Sequence, residues 1–173
     1  MQQINWSSFK DKFQKNKRRL RYFITKTEKN LPENFESISN KGSKEVWEEV
    51  DCLTCASCCK RMTPTYTNED IRRISAHFRM SSVEFKKKWL SYDKKGKDWM
   101  NTSQPCQFLD KKTNKCTIYK IRPADCAGFP HLKKKPFEDY MHVHKQNIEF
   151  CPASMLFIEK IYKDIQLKLP VGN

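Results

Sequence analysis

Cys52-Leu53-Thr54-Cys55-Ala56-Ser57-Cys58-Cys59 places four thiols within eight residues. Four more follow at Cys106, Cys116, Cys126 and Cys151, the first three spaced ten apart. A structural zinc site takes four ligands, and cubane iron–sulfur clusters take four thiolates. Eight cysteines therefore supply two filled sites, or one site with thiols to spare. The Cys-x2-Cys interval lets a short loop aim two sulfurs at one metal. A third cysteine at the same interval suits a cluster with several iron corners, which favours a 4Fe–4S cluster over zinc. The adjacent pair Cys58-Cys59 narrows the geometry. In an extended chain neighbours point to opposite sides, so the pair would feed different sites. In one continuous helix the four would fall at about 0°, 300°, 240° and 340° and share one face. Both conformations make a dense sulfur surface. The expected ligand pool is Cys52, Cys55, Cys58, Cys59, Cys106, Cys116, Cys126 and Cys151, with the first segment joining later cysteines in one centre.

Bulk properties bound the class. The chain has 173 residues, enough for one modest core, and its 38% hydrophobic content is low enough that a metal or disulfide staple is expected. The N-terminus lacks the apolar stretch of a signal peptide, and no apolar run approaches the roughly 20 residues needed to cross a bilayer. The expected compartment is the cytoplasm, with no membrane partner. There, grouped cysteines serve as ligands or redox groups, with disulfides the competing reading. Lys and Arg number 34 against 20 Asp and Glu, a net charge of +14. Each tetrathiolate site would bring about −2, so two would leave roughly +10. This balance favours an acidic protein or a nucleic acid as partner. The basic stretches are Lys15 to Arg21, Lys86-Lys87-Lys88 and Lys133-Lys134-Lys135. Their lysines are scattered and most aromatics sit at helix-core spacing, so a solvated surface is the simpler reading.

Patterning predicts a mainly α fold with a small β-hairpin, a compact domain organised around a cysteine-ligated metal centre. Residues 1–46 read as a basic helical N-terminal extension, 47–155 as the cysteine-cluster domain, and 156–173 as a C-terminal helix packing on it. In the extension, Trp6, Phe9, Phe13, Leu20 and Phe23 follow a broken helical spacing, with Ser8 and Asp11 as the start signal. Leu31-Pro32 ends that helix, Asn34 to Gly42 reads as a connector, and a short helix covers 43–50. Thr67 to Asp70 and Ser81 to Glu84 are capping-box patterns that open helices over 68–79 and 82–91. Lys94 to Asp98 reads as an exposed loop. Phe108-Leu109 and Cys116 to Tyr119 flank a polar turn, a hairpin signature. Residues 133–150 read as a basic, mostly irregular excursion, closed by Cys151-Pro152 and a last helix over 153–168.

Taken together, Cys52-x2-Cys55-Ala56-Ser57-Cys58-Cys59, Asp70-Ile71, Pro105-Cys106-Gln107-Phe108-Leu109, Cys116-Thr117-Ile118-Tyr119, Arg122-Pro123-x2-Cys126-x2-Phe129-Pro130 and Cys151 resemble the YkgJ-like cysteine-cluster family of zinc- or iron-chelating proteins. The resemblance covers roughly residues 47–155. It implies chelation of an iron–sulfur cluster or zinc by the cysteines. The chain departs from the pattern at Ala56, where glycine is common, and at Ala127, where a basic residue is common. Related segments occur in lysine N-methylases acting on flagellin, so the resemblance also admits a protein-modifying enzyme. A zinc-stapled nucleic-acid-binding module is the third reading.

Other side chains carry weaker signals. His142 and His144 would share one side of a strand as ligands, or stand exposed in a basic loop. His131 could support a ligand from behind. Arg122 could donate to cluster sulfurs, but bracing the turn before Cys126 is the better reading. Tyr119 and Phe129 read as an apolar cover. No glycine-rich nucleotide loop is present.

Overall fold

The computed structural model describes residues 5–134 and 136–166. Its helices are α1 (Trp6–Lys29), α2 (Phe35–Glu49), α3 (Cys52–Cys55), α4 (Ser57–Arg61), α5 (Asn68–His77), α6 (Ser82–Trp89), α7 (Ala124–Gly128), α8 (Met141–Phe150) and α9 (Pro152–Gln166). Its strands are β1 (Thr65–Tyr66), β2 (Leu90–Asp93), β3 (Asp98–Asn101), β4 (Leu109–Asp110) and β5 (Lys115–Cys116). The chain divides into two units: a helical one that runs to Asp51 and resumes at Pro130, and a cysteine-rich one from Cys52 to Phe129. Lys135 and positions 167–173, the end of the expected last helix among them, lie outside the described residues.

In the helical unit α1 starts earlier than its expected signal. The Asn5 side chain accepts the Ser8 N–H at 3.0 Å and caps the helix. Phe13, Leu20, Ile24 and Thr27 line its buried face at helical spacing. Asn34 to Gly42, expected to be a connector, is instead the cap and first half of α2. Phe35 and Ile38 are buried there, and the Phe35 ring lies 4.6 Å from Phe137. Burial of that face outweighs the roughly 1 kcal/mol that a glycine costs inside a helix.

Residues 141–150, expected to be irregular, form α8. Its buried face is Met141, His144, Asn147 and Ile148. The spacing is helical, but two of the four residues are polar, which hid the signal. Cys151 makes the corner into α9 in an extended conformation, as the residue before a proline must. Pro152 then takes the first helical position, where its missing N–H is not needed. Lys12–Glu159 (2.6 Å) and Arg21–Glu149 (3.0 Å) are ion pairs within this unit, and Arg19 lies over the Tyr162 ring. Part of the basic α1 face thus serves the unit's own packing.

The cysteine unit keeps both capping boxes: Thr67 with Asp70 opens α5, and Ser81 with Glu84 opens α6. The expected hairpin is β4–β5, with Leu109 opposite Cys116 and Asp110 opposite Lys115. The sheet is larger than expected, because an antiparallel sheet of order β1-β3-β2 accompanies that hairpin. Lys94 to Lys97 is its β2–β3 turn, closed by the Asp93 carboxylate, which accepts the N–H groups of Lys95 and Gly96 at 3.1 Å each. Tyr66, Ile71, Ile74, Phe85, Leu90, Phe108 and Ile118 form the core, with Phe78, Trp89 and Trp99 packed against it. Cys106 and Cys116 sit on the edge of the same core. The fold is mainly helical, as expected, with small antiparallel sheets.

Candidate metal centre

The thiols of the cysteine unit come from four short segments. α3 and α4 are separated by Ala56, whose backbone is left-handed at φ 47°. That residue breaks the helix, so neither the extended nor the continuous-helix reading holds. Cys52 is exposed, Cys55 is buried, and Cys58 and Cys59 are half-buried with their sulfurs 4.0 Å apart. The second segment carries Cys106. Its N–H donates to the Cys59 carbonyl at 2.8 Å, and Gln104 donates to the Arg61 carbonyl at 3.2 Å. The third is the β4–β5 hairpin with Cys116, tied back by Asn114, which donates to the Thr54 carbonyl at 2.9 Å.

The fourth segment, α7 with Cys126, is held from its N-terminal side. The buried Asp70 carboxylate accepts the Ala124 N–H at 3.2 Å and the Thr67 N–H at 3.1 Å. Arg73 pairs with Asp70 and donates to the Ile121 carbonyl at 2.6 Å. Asp125 accepts the Thr65 N–H at 3.0 Å, which ties α7 to β1. Arg122 braces the turn as expected: it donates to the Tyr119 carbonyl at 2.6 Å and stacks 3.9 Å over that ring. Tyr119 is exposed beneath that guanidinium.

Residues 51–149 match the family model CxxCxxCC, described as "Putative zinc- or iron-chelating domain". The match covers more than half of the chain. The chain belongs to the CxxCxxCC family. It is also 33% identical over 81 residues to the uncharacterized protein MJ0661 of Methanocaldococcus jannaschii, covering 46% of this chain and 43% of that protein. The chain thus spans less than half the length of this curated relative. No solved structure matches.

The CxxCxxCC thiols share one electrostatic neighbourhood. Cys59 raises the cost of ionising Cys106, Cys116 and Cys126, Cys106 does so for Cys116 and Cys126, and Cys116 for Cys126. The Cys58 thiol, followed by burial, pushes the Cys59 thiol up, and burial is the main cause at Cys55, Cys106, Cys116 and Cys126. Backbone N–H groups oppose this at four sulfurs: Phe108 and Leu109 at Cys106, Ile118 at Cys116, Ser57 at Cys55, and its own N–H at Cys59. No disulfide joins the eight cysteines, all of them among the described residues. Among those residues, no three His, Cys, Asp or Glu side chains stand in position to hold a metal ion together. A metal would have to draw the thiols inward. The chemistry of the donor set nonetheless fits one, because a thiophilic cation turns crowded buried thiols into stable thiolates.

Cys151 belongs to the helical unit and is buried at the α8–α9 corner. The histidine pair is corrected: on α8, His142 and His144 are about 200° apart, not on one side of a strand. His142 is exposed and His144 is fully buried, its ring stacked 4.8 Å from Phe137. Burial, then the charges of His131 and His142, lower its pKa to about 4. His131 is buried in the same unit at a left-handed φ of 66°. Among the described residues, no helix is long and apolar enough to cross a membrane. Asn101 and Tyr66 lie in no motif, and Gln107 and Asp125 lie within motif stretches that gave them no role. Asp70 was legible only as a helix cap, half of its role.

Proposed function

We propose that this protein is a thiolate metal-chelating protein whose centre is built on Cys59, Cys106, Cys116 and Cys126. Cys52, Cys55, Cys58 and Cys151 complete the pool of donors for a second site or for further corners of a cluster. The reading rests on one observation: backbone and side-chain bonds tie the segments of Cys59, Cys106, Cys116 and Cys126 together, and the Cys126 thiol feels the charges of the other three. A 4Fe–4S cluster is the favoured occupant, with zinc the alternative. The N–H groups of Phe108, Leu109 and Ile118 facing sulfur, and the apolar core behind Cys106 and Cys116, support the cluster. When bound, such a centre supplies electron transfer if it is iron–sulfur, or structural stapling if it is zinc.

Anaerobic purification tests this, followed by a visible spectrum and a count of iron, zinc and acid-labile sulfide per chain. The expected result is a brown protein with iron and sulfide in similar amounts. A colourless protein with zinc would replace redox by structure. Absence of both metals from a chain that folds when reduced would end the chelation reading.

A further inference from the structure

The sulfur of Cys106 sits at the end of a chain of side-chain donors that no cysteine pattern announces. Ser103 Oγ donates to Gln107 Oε1 at 3.2 Å, which leaves the Gln107 amide nitrogen as donor. That nitrogen donates to Asn101 Oδ1 at 3.0 Å, and the Tyr66 hydroxyl donates to the same oxygen at 2.6 Å. With its oxygen taken twice, the Asn101 amide has one orientation left, and its nitrogen donates to Cys106 Sγ at 3.3 Å. Asn101 and Tyr66 are both buried. The backbone is fixed as well: Asn101 pairs with Leu90 in the sheet, and Tyr66 pairs with Trp99.

We propose that Asn101 is a positioning residue for the Cys106 thiolate, locked by Tyr66 and Gln107, and that its N–H sets how strongly that sulfur donates electrons to the metal. This rests on the chelation reading above. A sulfur that accepts a hydrogen bond donates less to its metal, so the bond favours the reduced state of an iron–sulfur centre. A neutral amide achieves this without adding a charge beside the thiols.

The test uses the full-length protein, stripped of metal, reduced and titrated with Co(II) without oxygen. Cobalt reports sulfur donation through its thiolate-to-metal charge-transfer band, whichever metal is native. Asn101→Leu is expected to move that band to longer wavelength and to weaken cobalt binding roughly tenfold. Tyr66→Phe removes one of the two bonds that lock the amide, Gln107 keeping the other, and is expected to move the band in the same direction by less. In a Cys106→Ser background, Asn101→Leu is expected to move it no further. A merely structural role would weaken binding and leave the band in place, so an unmoved band in both single variants overturns the proposal. If Asn101→Leu fails to fold, as read by circular dichroism, Tyr66→Phe decides by the same criterion. A wild-type protein with no thiolate-to-cobalt band would bring down the chelation reading and this proposal with it. An unmoved band on a cobalt-loaded protein would bring down this proposal alone.

Discussion

Ala56 stands where the turn between α3 and α4 needs a left-handed residue, at φ 47°. An L-residue there carries a cost of about 1–2 kcal/mol, and glycine avoids it at about 0.5–1 kcal/mol of lost backbone entropy. The two terms nearly offset, which is why alanine can stand where glycine is common in the resembling family. Ala56→Gly is expected to leave stability within about 1 kcal/mol of the parent in a urea titration. Ala56→Val, β-branched and buried, is expected to cost more than about 2 kcal/mol, because valine is a steric outlier in that region. His144 makes a second prediction at this scale. The folded state holds its ring neutral down to about pH 4, whereas an ordinary histidine titrates near 6.5. Between those values the unfolded chain binds the proton and the folded chain does not, so stability is full above pH 6.5 and falls as pH drops towards 4. The gap corresponds to a loss of roughly 3 kcal/mol. His144→Phe, whose ring can take the same stacking place against Phe137, is expected to flatten this acid limb in a series of unfolding curves.

Gly42 lies inside α2, and its sequence signal of chain breaking is overridden by packing. A Cβ there would meet Phe157 at 3.6 Å and Ile161 at 3.8 Å, ordinary contact distances. Gly42→Ala should therefore gain about 0.5–1 kcal/mol from helix propensity without strain, read as a rise in the urea midpoint at unchanged slope. Elements were legible where their own side chains close local hydrogen bonds. The two capping boxes lie within four-residue windows, and the polar turn of the β4–β5 hairpin carries its own closure, Asp110 accepting the Lys112 N–H. Elements fixed by distant partners were not legible. β2 buries Leu90 and leaves the next three residues exposed, so it shows no alternation. β1 has two residues and exists only through its pairing with β3. α8 places a histidine and an asparagine where a core helix usually shows aliphatics.

Across the whole chain, the thiols were legible as a set, and their grouping was not. Spacing identifies all eight as soft donors. It cannot show that Ala56 splits the first four, or that Asp70 and Arg73, far back in the sequence, hold the segment of Cys126. The same distribution predicts how the protein responds to metal loss. The thiol-bearing segments are short: α3 has four residues, α4 and α7 five each, and β4 and β5 two each. Elements of that length have no stability of their own and depend on what they are tied to. The helical unit has longer elements, a buried face of Phe13, Leu20, Ile24, Val46, Phe157 and Ile161, and ion pairs such as Lys160–Glu49. Stripping the metal with a chelator is expected to raise hydrogen exchange sharply over 52–61, 106–116 and 122–129, while α1 and the middle of α9 keep their protection. Equal loss over both units would overturn this and make the metal a staple for the entire chain. The α8–α9 corner is the informative place between these outcomes. There the Cys151 N–H donates to the Asn147 carbonyl, and the Met155 N–H donates to the Cys151 carbonyl. If those two amides lose protection while α1 does not, the order of the corner around Cys151 depends on the metal. If they stay protected with α1, the Cys151 thiol is a buried part of the helical core.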